Sequence, residues 1–374
     1  MKKVLSLILL VITGGLFISG AVIFQRFKAN EESIIPFPYK FNQPSAEYKV
    51  EAPILIIGDR MGARMARYTE HLRDVISADI DNKIKIQSLA KPGYGLHRTI
   101  EDLKTIKKWP QILIYQGGSE EFSEVKFYPQ EIPRIKTNFD RFSDERLLTL
   151  IILYPWLSRI IYEPVKKIPL LPQPQLREEI MDEEEYLRNL DTELLLFREQ
   201  LKELVKMSKD RNALLILTTT PINLDIGPKK TCSVSTNIEI EKEIHQLKEL
   251  LKKNDPKAAY LLSSRMVTKH IGNAQVKYLH GQISRRIGNL NEAIPHLLES
   301  TAFDCYPWRS THLQNNIIRA VANDNQVILF DFAQLLDRDY TRNKTFVDEI
   351  YPQNLYYELG MEQLGILIKN ILKL

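Results

Sequence analysis

Five short apolar runs rich in branched side chains limit what this chain can fold into: 53–57 (PILII), 83–89 (KIKIQSL), 111–115 (QILIY), 213–219 (ALLILTT) and 326–330 (QVILF). Most are continuous rather than alternating, the pattern of strands covered on both faces. Helical patterns lie between them. One spans 61–77, another 99–109, and Leu187, Leu190, Leu194, Phe197, Leu201 and Leu204 recur at three- and four-residue steps before the fourth run. Strand–helix alternation predicts an α/β fold, a three-layer α/β/α sandwich around a five-stranded parallel sheet. Ligands of such sheets sit beyond the C-terminal ends of the strands.

The N-terminus carries a different signal. Lys2 and Lys3 precede the uncharged run 4–25, VLSLILLVITGGLFISGAVIFQ. About 22 residues make a helix of about 33 Å, enough to span a bilayer. We read 1–25 as a membrane anchor or uncleaved signal, although Ser19 and Ala21 offer a small-x-small cleavage pattern. Either reading exports the rest of the chain, so a single-pass protein with an extracytoplasmic (periplasmic or extracellular) domain is expected. Residues 26–50, with Pro36, Pro38 and Pro44, read as an extended tether.

The domain proper, 51–374, is interrupted by insertions at 122–182 and 231–303. The first holds an apolar stretch, 147–162, expected as a packed helix with a membrane-contacting surface as the alternative, and a proline-rich piece, 164–175. The acidic cluster 178–185 suits the start of the long helix after it. In the second insertion, 274–303 (AQVKYLHGQISRRIGNLNEAIPHLLESTAF) is similar to a tetratricopeptide-like helix pair, with Tyr278, Leu279 and Gly281, then Gly288 and Asn289 at the turn, then Glu292 and Ala293. Its role is packing or the docking of an envelope protein partner. A formal charge of +4, with no basic stretch interleaved with aromatics, argues against nucleic acid. Two cysteines, Cys232 and Cys305, exclude a disulfide framework and a four-thiolate zinc site, leaving one disulfide open. No pair among the histidines reads as metal-ligating with a carboxylate partner, so neither metal nor cofactor is expected.

Four blocks fall on the predicted strand ends. The first run leads into GDRMGARMA, 58–66; the second into KPGYGLHRT, 91–99; the third into YQGGSEEF, 115–122; and FVDEIYPQN, 346–354, precedes a final helix. In order and spacing, over roughly 48–374, these resemble the blocks of SGNH (GDSL-type) hydrolases, whose sheet is flavodoxin-like. A subgroup with a helical insertion before the last strand is similar in layout, including YPWRSTHLQNNIIRAV from Tyr306. The resemblance implies a nucleophile at position 60, an oxyanion-hole N–H from Gly93 or Gly95, a side-chain donor at Ser119 followed by Glu120, and an Asp–His pair at Asp348 and Tyr351.

The residues at two of those places cannot do that work. Arg60 stays protonated and can neither attack nor take a proton. Tyr351 titrates near 10 and is a poor base at neutral pH. Loss of nucleophile or base costs about 10⁶ in turnover in a serine protease. Three readings are open. In the first, the domain is a degenerate binding or accessory module on envelope glycan or lipid, with Asp59, Arg60, Ser119, Glu120 and His97 as ligand-binding candidates and Arg60 gripping an acidic group; an Arg60–Asp348 ion pair filling a dead site is the bland form of the same reading. The second is an active esterase or O-acyltransferase on acylated envelope polysaccharide, through Ser88 or Ser119 with His97. The third is a scaffold that binds an envelope protein through the helical insertions.

Overall fold

The computed structural model describes residues 34–42, 47–78, 84–174, 183–229, 238–306, 308–339 and 344–372. The expected membrane anchor, the acidic cluster up to 182 and Cys232 therefore lie outside the described residues. No helix among the described residues is long and apolar enough to cross a membrane. They fall into two compact units, one drawn from Met1–Gln43 and Val125–Pro172, the other from Pro44–Glu124 and Gln173–Leu374.

The strands in chain order are β1 (Tyr39–Phe41), β2 (Ile54–Gly58), β3 (Ile86–Ser88), β4 (Ile112–Gln116), β5 (Ile168–Leu170), β6 (Leu214–Thr218) and β7 (Ile328–Phe330). In the larger unit β3-β2-β4-β6-β7 form one sheet, parallel throughout, with Ile56 beside Ile114 and Ile114 beside Ile216. All five apolar runs are in it. Side chains alternate between its faces. Leu55, Ile57, Leu113, Tyr115 and Leu217 pack with Leu96, Ile100 and Leu103 of helix Leu96–Lys104, with Phe197, Leu201 and Leu204 of helix Glu183–Asp210, and with Ile318 of helix His312–Asp324. Ile54, Ile56, Ile112, Ile114 and Ile216 pack on the other face with Leu72 and Ile76 of helix Thr69–Ser77 and with Tyr357, Met361, Leu364 and Ile368 of helix Asn354–Leu372. Helices thus cover both faces of the sheet. Burying each such Leu or Ile stabilises the fold by about 1.5–3 kcal/mol.

Within the same unit, 238–302 is mainly helical: Ile238–Lys252, Pro256–Lys269, Ala274–Arg286 and Leu290–Ala302. The first three share a small core of their own, in which Leu247, Ala259, Met266, Val276 and Ile283 are buried. Cys305 is buried and disulfide-bonded.

The smaller unit departs from the sequence pattern at two places. Within the expected extended tether, Tyr39–Phe41 form β1 and pair in parallel with β5 from the proline-rich piece. Aromatic burial accounts for it: Phe37 stacks on Tyr39 at 5.2 Å and tilts against Phe139 at 5.9 Å. The stretch 147–162 is not one helix. Helix Glu145–Leu153 stops before Pro155, a 3-10 turn follows at Pro155–Leu157, and Ser158–Ile161 adds a single turn. Proline lacks the N–H that a helix interior needs, which ends the first segment there.

Candidate functional site

Strand β2 ends on Gly58, whose φ of +132° and close approach to β4 exclude a side chain; a Cβ there would sit 1.9 Å from the Gln116 carbonyl oxygen. The next residue, Asp59, is fully buried and caps the six-residue helix Arg60–Met65 by accepting from the Met61 N–H at 2.8 Å. Its second oxygen accepts from the Ser119 N–H and Ser119 Oγ, both at 2.7 Å, and from the Glu120 N–H at 3.2 Å. One carboxylate therefore ties the ends of β2 and β4 together. Burial, reinforced by the Glu120 charge, pushes the Asp59 carboxyl up to about 6 against the pull of those bonds.

Arg60 does not reach Asp348. Its Nε forms a close ion pair with Glu120, and its Nη2 donates to the Trp308 carbonyl at 3.3 Å. Glu120 lies just past the end of β4, the strand next to β2, so the segment that follows β4 satisfies the guanidinium. At the start of the helix that follows, the Met61 N–H is held by Asp59 itself. Asp348 is exposed and folds onto its own turn, accepting from the Ile350 and Tyr351 N–H groups at 2.8 and 2.7 Å. Tyr351 belongs to an aromatic collar around Arg64, whose Cζ lies 5.6 Å from the Tyr351 ring and 6.0 Å from those of Tyr68 and Tyr357. The expected Arg60–Asp348 pair is thus replaced by Arg60–Glu120.

The glycine block turns at Gly93, with φ +80°, and Gly95 caps helix Leu96–Lys104. A Cβ at Gly95 would come 2.8 Å from His97 Nδ1, so glycine here makes room for the imidazole. His97 is buried and meets Glu124 through Nε2 at 2.8 Å, while Arg98 Nε donates to the same carboxylate at 2.6 Å. Burial pushes Glu124 up, but its bonds to His97 and Arg98 together outweigh that and hold it down at about 2. Glu121 accepts from the Leu96 N–H at 2.8 Å. Ser88 Oγ accepts from the Ala90 N–H at 3.2 Å. Ser88, Ser119 and His97 therefore serve separate partners: a backbone amide, the Asp59 carboxylate and the Glu124 carboxylate.

The structure adds residues that the sequence blocks do not mark. Trp308 borders Arg60 and lies under Lys229, whose Nζ stands 4.1 Å from its ring centroid, and beside Arg309, which burial pushes down to about 10. Beyond β6 and β7 a cavity of about 270 Å³ is lined by Ile222, His312, Asn315, Arg319 and Asp337 among others. Arg319 grips Asp331 in bidentate fashion at 2.8 and 3.0 Å, and Asn315 bonds both backbone groups of Thr220 at 2.8 Å. Farther off, His280, Glu292 and His296 place potential ligand atoms within 4.8 Å of one another. The spacing of Glu292 and His296, four residues apart, is the sequence signal for that cluster, while His280 joins it only through the fold of the hairpin.

No protein-family model matches the chain, and no curated protein matches it. Among solved structures, the crystal structure of an acetyl xylan esterase aligns over 85% of this chain and 99% of its own, at 11% identity and a TM-score of 0.34. That score is too low for the likeness to carry weight.

Proposed function

We propose that the chain is an SGNH hydrolase-like protein, tethered to a membrane by its N-terminal segment, that does not hydrolyse esters through serine. Its cleft works instead as a binding or accessory module for an acidic envelope glycan. One observation carries the loss of chemistry: at the strand-to-helix turn where an attacking oxygen would stand, Arg60 is locked to Glu120 and Trp308. Neither group is a nucleophile facing a base, and acyl transfer needs both. Three features support the location: the apolar run 4–25, the disulfide at Cys305, which persists in oxidising compartments, and the exposed apolar strip of the smaller unit. The Arg60 side chain is 19% exposed, so a carboxylate from solvent can compete for it.

Two measurements test the reading. With a generic acetyl ester, the full chain should show no turnover above background; turnover abolished by Ser119→Ala or His97→Ala overturns the proposal in favour of an active esterase. With a uronic-acid oligosaccharide, Arg60→Ala should abolish binding. Glu120→Gln should tighten it by roughly tenfold, about 1.4 kcal/mol, because the ligand no longer displaces a fixed carboxylate. Binding unchanged in both variants would leave the ion pair as mere filling and exclude this cleft as the glycan site.

A further inference from the structure

The hairpin made by helices Ala274–Arg286 and Leu290–Ala302 carries a constellation that the sheet-edge site does not use. His280 projects from the first helix. Glu292 and His296 stand four residues apart on the second, hence on one face of it. We propose that His280, Glu292 and His296 bind a zinc ion, with water completing its coordination. Two imidazoles and one carboxylate are a set zinc takes when a fourth position stays open.

The surroundings hold these side chains as metal ligands are held. Ser263 Oγ lies 2.8 Å from His280 Nδ1 and 3.0 Å from the Tyr260 carbonyl oxygen, which holds the hydroxyl in place beside the ring. On the far side of the ring, His280 Nε2 lies 3.0 Å from Glu292 Oε1, so one edge of the imidazole is held by Ser263 and the other faces the carboxylate. The other oxygen of Glu292 is fixed by Tyr260 Oη at 2.8 Å and Asn289 Nδ2 at 2.6 Å, which turns Oε1 towards the imidazole. The His296 ring stands edge-on to that of His280, centroids 4.8 Å apart, with Glu299 Oε2 at 3.5 Å from its Nδ1.

Bonds of about 2.0–2.2 Å place tetrahedral ligand atoms about 3.5 Å apart. The His280–Glu292 spacing is already short, so only the spacing to His296 has to close. Access is available as well, since the side chains of Glu292 and His296 are 28% and 21% exposed although His280 is buried. Ser263 is fully buried, so it orients His280 and cannot meet a substrate. The Ser263–His280–Glu292 chain is therefore a support for a ligand, not a hydrolytic triad.

The test uses the full chain, stripped with a chelator and titrated with zinc against a chromophoric competitor. One equivalent should bind. Zinc should raise the melting temperature of the wild type and leave that of His296→Ala unchanged, since only a state that binds the ion gains from it. Cobalt in place of zinc should give the intense visible bands of a tetrahedral site, lost in Glu292→Gln. Ser263→Ala should weaken zinc by roughly 10–100-fold, the range seen when a group supporting a ligand is removed. His71→Ala, at an exposed histidine of helix Thr69–Ser77, is the control and should bind as the wild type does. Absence of stoichiometric zinc, or full retention by a folded His296→Ala, overturns the proposal and leaves the cluster as an interhelical hydrogen-bond network.

Discussion

At the scale of single residues, Asp59 and Glu124 are both buried carboxylates near the C-terminal edge of the sheet, yet their ionisation moves in opposite directions. Burial raises both. The difference lies in what surrounds them. The groups bonded to Asp59 are neutral donors, and Glu120 adds a like charge; Glu124 faces the Arg98 guanidinium and His97. The consequence for stability has a definite sign. Glu124 sits at about 2 when folded against an ordinary 4.5, so between those values the unfolded chain holds more protons, and stability is lost as pH falls through that window. Glu124→Gln removes the buried negative charge that Arg98 and His97 face and should cost about 3–5 kcal/mol at neutral pH. That gap should shrink steadily as pH falls from about 4.5 to 2, which unfolding in urea at a series of pH values would show; a constant gap would mean that the ion pair is not what Glu124 contributes. The sequence blocks do place Asp59, Arg60, Ser119 and Glu120 at adjoining strand ends, because position along a parallel sheet follows from the apolar runs. They do not reveal that Glu120 takes Arg60. Choice of partner depends on side-chain geometry, which spacing in the chain does not encode, and Asp348 turns out to be occupied by its own turn.

Among elements, the strands of the large sheet were legible because their signal is local: a run buried on both faces has to be apolar throughout. β1 and β5 were not, because Tyr39–Phe41 sits among prolines and polar residues and becomes a strand only through a pairing more than a hundred residues away. The long apolar stretch around 147–162 failed in another way, since hydropathy alone does not register the break that Pro155 imposes. The helical hairpin at 274–302 shows what small residues do. Gly281 lets the helices close together; a Cβ at that position would lie 2.6 Å from Leu297 Cγ and 3.0 Å from the Ala293 carbonyl oxygen. Gly281→Ala should therefore destabilise the hairpin by about 1–3 kcal/mol, the usual cost of overpacking. Amide exchange would locate the effect in helices Ala274–Arg286 and Leu290–Ala302, with the sheet unchanged. Protection in those helices equal to the wild type would show that they are not held at contact distance.

For the whole molecule, the question is where it sits relative to a bilayer. In the smaller unit Leu150, Ile152, Leu153, Tyr154 and Trp156 are exposed, with Leu153 at 63% and Trp156 at 46%. A run of large apolar and aromatic side chains turned to solvent needs a partner. The proposed anchor ends at residue 25, and in this unit the Ile34 carbonyl accepts from the Tyr162 hydroxyl at 2.6 Å. The eight intervening residues span at most about 28 Å. An anchor at 4–25 would hold the unit close to its bilayer, and tryptophan and tyrosine with aliphatic neighbours are what the membrane–water boundary accepts. The full chain should stay with membranes at high salt. A form beginning at residue 34 should leave them, yet still sediment weakly with phosphatidylcholine vesicles containing one-third anionic lipid. Leu153→Ser combined with Trp156→Ser should remove that residual binding while the chain still unfolds in one cooperative transition, since Leu153 is mostly exposed and Trp156 about half exposed. A truncated form with no affinity for vesicles would instead assign the strip to a protein surface, and a full chain released by salt would remove the anchor from the account altogether.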